Sequence, residues 1–252
     1  MTENEIILTH ILKCRPIDLI VNKPTLSDAQ QKQFDEYTRR RALGEPLQYI
    51  LGSWNFMGLE LSVNPSVLVP RPETEQMVEQ AIKLCQSFKG AKVLDLGTGS
   101  GCIAIAIAKF CPNAQVVSID ISLKALEVAK ANAKRHGVDD RINFVCADMK
   151  KMVPGTIFDL IISNPPYIPT SQMTQLPKDV QQEPALALDG GVDGLDFYRN
   201  IIKYTPRLLR GGACLMMEFG DGQAKAILSL FGKDFKVEIH KDLSGRERFP
   251  GK

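Results

Sequence analysis

The stretch Asp95-Leu96-Gly97-Thr98-Gly99-Ser100-Gly101 carries most of the architectural information in this chain. It follows an apolar run, residues 92–96, that reads as a strand, and it precedes a second one, residues 102–110, that is long enough for a helix. A glycine turn between a strand and a helix is where a doubly wound sheet binds a nucleotide-like ligand. Glycine lets the backbone approach closely, and the helix N-terminus offers unpaired N–H groups. The spacing is G-x-G-x-G with an acid two residues before the first glycine. Dinucleotide sites use G-x-G-x-x-G, so no pyrophosphate is provided for here.

Outward from this loop the segments alternate. Residues 115–120 read as a strand, 123–136 as a helix, 142–148 and 158–163 as strands, 195–209 as a helix and 213–219 as a strand. Alternation of this kind predicts an α/β fold with a mainly parallel, Rossmann-like sheet covered on both faces. Pro206 predicts a kink or an early end in the late helix. Residues 235–252, with a Ser244-Gly245 turn, predict an antiparallel hairpin on the sheet edge, where Pro250 suits a ladder strand poorly.

Upstream the pattern changes twice. Ile7, Leu8, Ile11 and Leu12 recur at helical spacing, Ser27 with Gln30 predicts a capping box, and Gly44 with Pro46 supplies a stop. Arg39, Arg40 and Arg41 read as a solvated helix end favoured by the macrodipole. Between Tyr49 and Val69, short extended runs are broken by Gly52, Gly58, Asn64 and Pro65, as in a hairpin. Three units follow: a helical domain over 1–46, a β-hairpin linker over 47–70 and an α/β domain over 71–252.

Composition narrows the function. Among 252 residues, Lys and Arg (31) nearly balance Asp and Glu (29), and Trp54 is the one tryptophan. A basic groove or aromatic platform for nucleic acid is therefore not expected. The cysteines at 14, 85, 102, 111, 146 and 214 lack Cys-x-x-Cys spacing, so they read as buried free thiols of a reducing cytoplasm, with no metal site. The opening MTENEIILTH has no secretory pattern and no apolar run reaches spanning length, so a cytoplasmic protein without membrane contact is expected, as a monomer.

Three acids stand near successive strand ends: Asp95, Asp120 and Asp148. One aspartate after a strand is usually a turn former. Three of them beside a glycine loop predict a shared ligand, with Asp120 placed to accept hydrogen bonds from ribose hydroxyls.

The second constellation is Asn164-Pro165-Pro166-Tyr167, after the fourth strand of the series. Alone it would be a stiff turn or a short proline-rich ligand. At the carboxyl end of a strand in a glycine-loop sheet it faces the ligand crevice instead. Two prolines fix φ and remove two N–H groups, and the residue before them is held extended. Such a loop suits a planar amide or amine nitrogen, a poor nucleophile that has to be positioned. The Asn164 side-chain oxygen and the Pro165 carbonyl can accept the two N–H hydrogens, and the Tyr167 face can stack on the group and tolerate positive charge. No metal and no covalent nucleophile are required.

With these residues in view, the chain resembles the HemK/PrmC family of protein-glutamine N5-methyltransferases from about Ser27 to its end. The glycine loop and Asn164 to Tyr167 are shared with other N-methyltransferases. The resemblance also runs through residues 41–50, Pro70, Glu183-Pro184 and Ser244-Gly245-Arg246-Glu247-Arg248, and its most specific part is Arg71-Pro72-Glu73-Thr74-Glu75 with the linker before it. The resemblance implies a class I methyltransferase fold with S-adenosylmethionine as cofactor. It also implies that the substrate is the glutamine of the Gly-Gly-Gln loop in class I peptide release factors, docked by the N-terminal helices.

Carried over, Gly97, Thr98, Gly99, Ser100 and Gly101 line the cofactor, Asp120 holds the ribose, and Asp148 with Met149 borders the adenine. Asn164 touches both ligands, and Pro165, Pro166 and Tyr167 complete the glutamine site, with Asn164, Pro165 and Tyr167 as its catalytic members. Arg71, Glu73 and Thr74 read equally well as a pocket rim or as a helix start, with Pro72 at the first helical position. The competing substrate is an exocyclic amine of adenine or guanine in RNA or DNA.

Overall fold

A computed structural model describes residues 1–22, 24–151, 155–233, 235–241, 245 and 247–251, the side chains of 241 and 247–251 excepted. The chain opens with helices α1 (Glu3–Leu12), α2 (Pro16–Val21) and α3 (Asp28–Ala42). Thr2 with Glu5 and Ser27 with Gln30 close reciprocal capping boxes on α1 and α3. Gly44, at φ +93°, turns the chain after α3. The arginines at the end of α3 are not simply solvated. Arg39 pairs with Glu36, Arg40 with Glu45, and Arg41 with both Glu3 and Asp179.

The linker begins as a short helix, α4 (Leu47–Leu51), rather than as extended chain, because its apolar Leu47, Tyr49 and Ile50 are all buried. The hairpin follows as β1 (Ser53–Phe56) and β2 (Leu59–Ser62), turned at Met57 and Gly58. Both turn residues have positive φ, 51° and 78°, the backbone that a two-residue turn needs to match strand twist. Helix α5 (Pro72–Gln86) then starts on Pro72 and buries Thr74, Met77, Val78, Ala81, Ile82 and Cys85, one face at a period of 3.6.

Next come β3 (Lys92–Leu96), α6 (Cys102–Phe110), β4 (Gln115–Asp120), α7 (Leu123–His136), β5 (Ile142–Cys146), β6 (Phe158–Ser163), α8 (Asp196–Leu208) and β7 (Leu209–Met217). The five strands pair in parallel in the order β5-β4-β3-β6-β7. All of β6 is buried, as expected for a parallel strand covered on both faces. Alternate residues feed two cores. Val93, Leu160, Ile162 and Met216 join α5 and α6, while Leu94, Ile161, Leu215 and Met217 join α8. Helix α6, with Ile103 through Ala108 all buried, is wrapped by protein on every side.

Pro206 lies inside α8, which ends two residues later at Leu208. After α9 (Ala224–Leu228), strands β8 (Glu238–Lys241) and β9 (Glu247–Gly251) form a two-stranded antiparallel sheet of their own. The expected hairpin is present, and β9 continues through Pro250, opposite Ile239. Ser244 and Arg246 lie outside the described residues. Asn132 of α7 ties the domain together: it bonds both the N–H and the carbonyl of Ser62 in the hairpin and the carbonyl of Ser100 in the glycine loop. Among the described residues, no helix is long and apolar enough to cross a membrane.

Candidate active site

In this strand order the chain runs outward from β3 through β4 to β5, then returns to β6 on the other side of β3. Ligands collect at the carboxyl ends of the strands at such a reversal. Leu96 of β3 is paired with Ser163 of β6, and the Ser163 hydroxyl donates to the Leu96 carbonyl at 2.7 Å. The loops that leave these strands, Gly97 onward and Asn164 onward, therefore start side by side.

The glycine loop is held from β4. The N–H groups of Gly97 and Thr98 donate to the Ile119 carbonyl at 2.9 and 3.1 Å. The Gly99 N–H donates to one Asp120 oxygen at 2.9 Å, and the Ser122 N–H donates to the other at 2.8 Å. Gly101, at φ +85°, caps α6, and a Cβ there would lie 2.9 Å from the Ile105 side chain and 3.1 Å from that of Ala129. This glycine is demanded by close packing as well as by its left-handed backbone.

Gly97, Gly99, Asp120, Asp148, Met149, Asn164 and Pro166 line one cleft, together with Val67, Leu68, Lys150, Leu186 and Phe197 among others. The cleft holds about 910 Å³ of empty space counting its open mouth. At Gly97 a Cβ would come 3.2 Å from the Met149 methyl and 3.9 Å from the Asn164 carbonyl oxygen, so a side chain would fill the floor that glycine leaves open. Asp120 keeps further lone pairs on both oxygens beyond the two N–H groups it accepts. A glycine floor, an acid at the end of β4 and apolar walls fit a nucleoside with a ribose.

The remaining loop residues stand behind this surface. Thr98 is buried with its hydroxyl 2.6 Å from that of Ser118, Ser100 is buried, and Gly101 packs on α7. Asp95 does not join Asp120 and Asp148, contrary to the expectation of three acids around one ligand. It lies within β3, fully buried, and accepts the Ser118 hydroxyl at 2.6 Å. Burial pushes its carboxyl up to about 7, against the lowering effect of the Ser118 hydrogen bond. Asp95 stands one residue short of the end of β3, whereas Asp120 is the last residue of β4 and Asp148 lies beyond the end of β5. Cys146 is another departure, being exposed where a buried thiol was expected.

Asn164 is half-buried, and Pro165 and Pro166 are buried. Tyr167 lies outside the cleft lining. Its ring sits against Gly220, where a Cβ would come within 3.0 Å, and its carbonyl accepts the Gln223 side chain at 2.9 Å. The Asn164 amide nitrogen donates to the Thr74 hydroxyl at 3.1 Å, and Thr74 donates to a Glu218 carboxylate oxygen at 2.6 Å. The Asn164 side-chain oxygen makes no hydrogen bond among the described residues, and the residue borders the cleft.

Glu218 is an addition of the structure, as are the bond of Thr74 to Asn164 and the clamp at Glu183. The Glu183 carboxylate is buried, bonded to Arg71 and to the Val69 N–H at 2.9 Å, and fixes the segment from Pro184 to Ala187 as a cleft wall. Arg71, Glu73 and Thr74 open α5 and are absent from the cleft lining, so the helix-start reading holds for their backbone. Lys150, 4.2 Å above the Phe197 ring, forms part of another wall.

Comparison with known proteins identifies the family. The family model described as Methyltransferase small domain matches residues 76–183, and the one described as PrmC N-terminal domain matches residues 2–52. The chain is 45% identical to a release factor glutamine methyltransferase of Geobacter sulfurreducens, covering 92% of this chain and 81% of that protein. It is 38% identical to the protein of the same name in Thermodesulfovibrio yellowstonii, over 98% and 90% of the two chains. Among solved structures, a methyltransferase from Pyrococcus furiosus superposes with a TM-score of 0.56 at 20% identity, covering 89% of this chain and 97% of that one. The catalytic domain of hMettl16 gives 0.59 at 16% identity, with 89% and 81% covered. At those identities the structural likeness speaks for the fold alone.

Proposed function

The chain belongs to the release factor glutamine methyltransferases, and from that membership we propose that it moves a methyl group from S-adenosylmethionine to the side-chain amide nitrogen of the glutamine in the Gly-Gly-Gln loop of class I peptide release factors. One observation carries the site assignment. At the junction of β3 and β6, Asn164 lines the same cleft as the glycine loop while its amide nitrogen is occupied by Thr74, which leaves its side-chain oxygen as the free acceptor.

S-adenosylmethionine supplies an electrophilic methyl group on a sulfonium sulfur. Gly97 and Gly99 let the backbone close on the nucleoside, with Thr98, Ser100 and Gly101 holding the loop's shape behind them. The outward lone pairs of Asp120 accept the ribose hydroxyls, and Asp148 with Met149 borders the base.

An amide nitrogen shares its lone pair with its carbonyl, so the chain gains most by orientation and by holding the hydrogens. Asn164 Oδ1 would accept one N–H of the glutamine and the Pro165 carbonyl the other, so that these two acceptors fix the orientation of the amide nitrogen in the cleft. With the cofactor bound, the N–CH3 bond would form as the S–CH3 bond breaks, the electron pair of that bond staying on sulfur as a neutral thioether, and the nitrogen would give up one of its two protons to solvent; neither acceptor is a charged base that would itself compete for the methyl group. Pro166 stiffens the loop. Tyr167, packed on Gly220 and bonded through its carbonyl to Gln223, braces it from behind.

The test is methyl transfer from labelled S-adenosylmethionine to a class I release factor, to the same factor with the loop glutamine replaced by alanine, and to tRNA and DNA in parallel. Label on the intact factor alone is the expected result. Label on nucleic acid and none on the factor would transfer the assignment to a nucleobase amine.

A further inference from the structure

We propose that Thr74 and Glu218 form a proton-ordering relay that fixes which face of the Asn164 amide meets the substrate, and that this relay gives the site its preference for an amide over a carboxylate. The inference rests on the reading of Asn164 as the acceptor of the target glutamine.

An asparagine side chain is nearly symmetric in shape, with oxygen and nitrogen exchanging places on a half-turn, so only its partners decide which atom points where. Here the partners come from separate parts of the fold. Thr74 lies in the first turn of α5, Asn164 follows β6, and Glu218 follows β7. Thr74 and Glu218 are each 2% exposed, so water cannot substitute for either. Glu218 is itself fixed, its N–H bonded to the Ser163 carbonyl at 2.9 Å and its carbonyl accepting the Tyr198 hydroxyl at 2.7 Å.

A threonine hydroxyl has one hydrogen, and that hydrogen goes to the Glu218 carboxylate at 2.6 Å. What Thr74 presents to Asn164 is therefore a lone pair, which only the NH2 group can satisfy, at 3.1 Å. The reversed amide would set carbonyl oxygen against hydroxyl oxygen in a dry site, where an unmade hydrogen bond is costly. The carboxylate thus dictates the hydroxyl, the hydroxyl dictates the amide, and Oδ1 is left toward the cleft. A glutamine amide offers N–H groups to that oxygen. A glutamate side chain offers only lone pairs and is repelled. Thr74 and Glu218 act as positioning residues, through Asn164.

The experiment uses the full chain and compares Thr74→Val, Thr74→Ala and Thr74→Ser with Asn164→Ala. It measures S-adenosylmethionine affinity, single-turnover methyl transfer to a release factor, and competitive inhibition by two peptides that differ only in glutamine or glutamate at the target position. Valine keeps the shape of threonine without its hydroxyl, and alanine serves if valine does not fold. The expected result for either is unchanged cofactor affinity and a transfer rate lower by about 10- to 100-fold, in line with the cost of misplacing a reacting group. The ratio of glutamate-peptide to glutamine-peptide inhibition constants should fall by about 10-fold, since a freed Asn164 can turn its NH2 to a carboxylate. Thr74→Ser keeps the hydroxyl and should recover most of the rate and the ratio. A purely structural role for Thr74 would lower the rate without moving that ratio. If the valine and alanine variants keep the wild-type ratio while Asn164→Ala is crippled, the relay is wrong and the reading of Asn164 stands. If Asn164→Ala transfers methyl normally, that reading is what fails.

Discussion

Asp120 accepts the Gly99 N–H at 2.9 Å, so the acid assigned to the ribose also holds the glycine loop in shape. Cofactor recognition and loop geometry are joined in one carboxylate, and a substitution there acts on both.

Replacing Asp120 by alanine should weaken S-adenosylmethionine binding by at least about 10-fold, since each hydrogen bond to a charged group contributes roughly 1.5–3 kcal/mol. Titration calorimetry checks this. An unchanged affinity would remove Asp120 from the cofactor site.

Asn164→Ala removes an oriented acceptor from the cleft and should lower the rate of methyl transfer by about 100-fold or more, with the fold intact. Asn164→Asp keeps shape and acceptors but adds a negative charge beside the sulfonium. Tighter ground-state attraction does not speed a reaction unless it is stronger still in the transition state. The aspartate variant should accordingly retain reduced turnover. Single-turnover assays at saturating cofactor, with cofactor affinity measured separately, distinguish these outcomes.

Arg41 connects the helical domain to the segment before Glu183, at 2.8 Å from Glu3 and 3.2 Å from Asp179. Both pairs are partly exposed, so Arg41→Ala should cost only about 0–1 kcal/mol of stability. Its expected effect is on docking: a several-fold higher half-saturation concentration for an intact release factor, with no change for a short glutamine peptide. An equal shift for both substrates would mean that the helices take no part in docking.

Asp95 predicts a pH dependence. Its carboxyl is pushed from the ordinary 3.8 up to about 7 in the folded chain, chiefly by burial. Between those values the folded state holds a proton that the unfolded state has released. Stability therefore falls as pH rises through this window, and the loss is complete above about 7. The upper bound is about 4 kcal/mol, from about 1.36 kcal/mol per pH unit. In Asp95→Asn this slope should vanish. Thermal melts of both proteins from pH 5 to pH 8, in equal ionic strength, provide the comparison; parallel curves would show that Asp95 does not titrate there.

The parallel sheet was legible because its evidence is local: a glycine loop between an apolar strand and helix, and strands too uniformly apolar to be half-exposed. The same holds for Gly97, Gly99, Asp120, Asp148, Asn164 and Pro166, which meet in the cleft, whereas Met149 was reached through the family resemblance alone. Asp95 was misplaced because sequence proximity to the glycines does not say on which side of the strand's end a residue falls. Leu47–Leu51 read as extended chain because a single buried helical turn is too short to display a period. Thr74 and Glu218 could not have been paired, since 144 positions separate them and the helix start that explains Thr74 locally hides its contact with Asn164.

The reversal of the sheet beside β3 also divides the labour of the chain. The loops assigned to the nucleoside leave β3, β4 and β5, whereas the groups proposed to grip and orient the amide come from the start of α5 and the ends of β6 and β7. Each half is drawn from its own runs of sequence, and the two meet along the paired strands β3 and β6, where Ser163 bonds Leu96. A change of methyl acceptor can therefore be written into one half while the other is inherited intact, and altered specificity should arise from substitutions around Thr74, Asn164 and Glu218 rather than from the glycine loop.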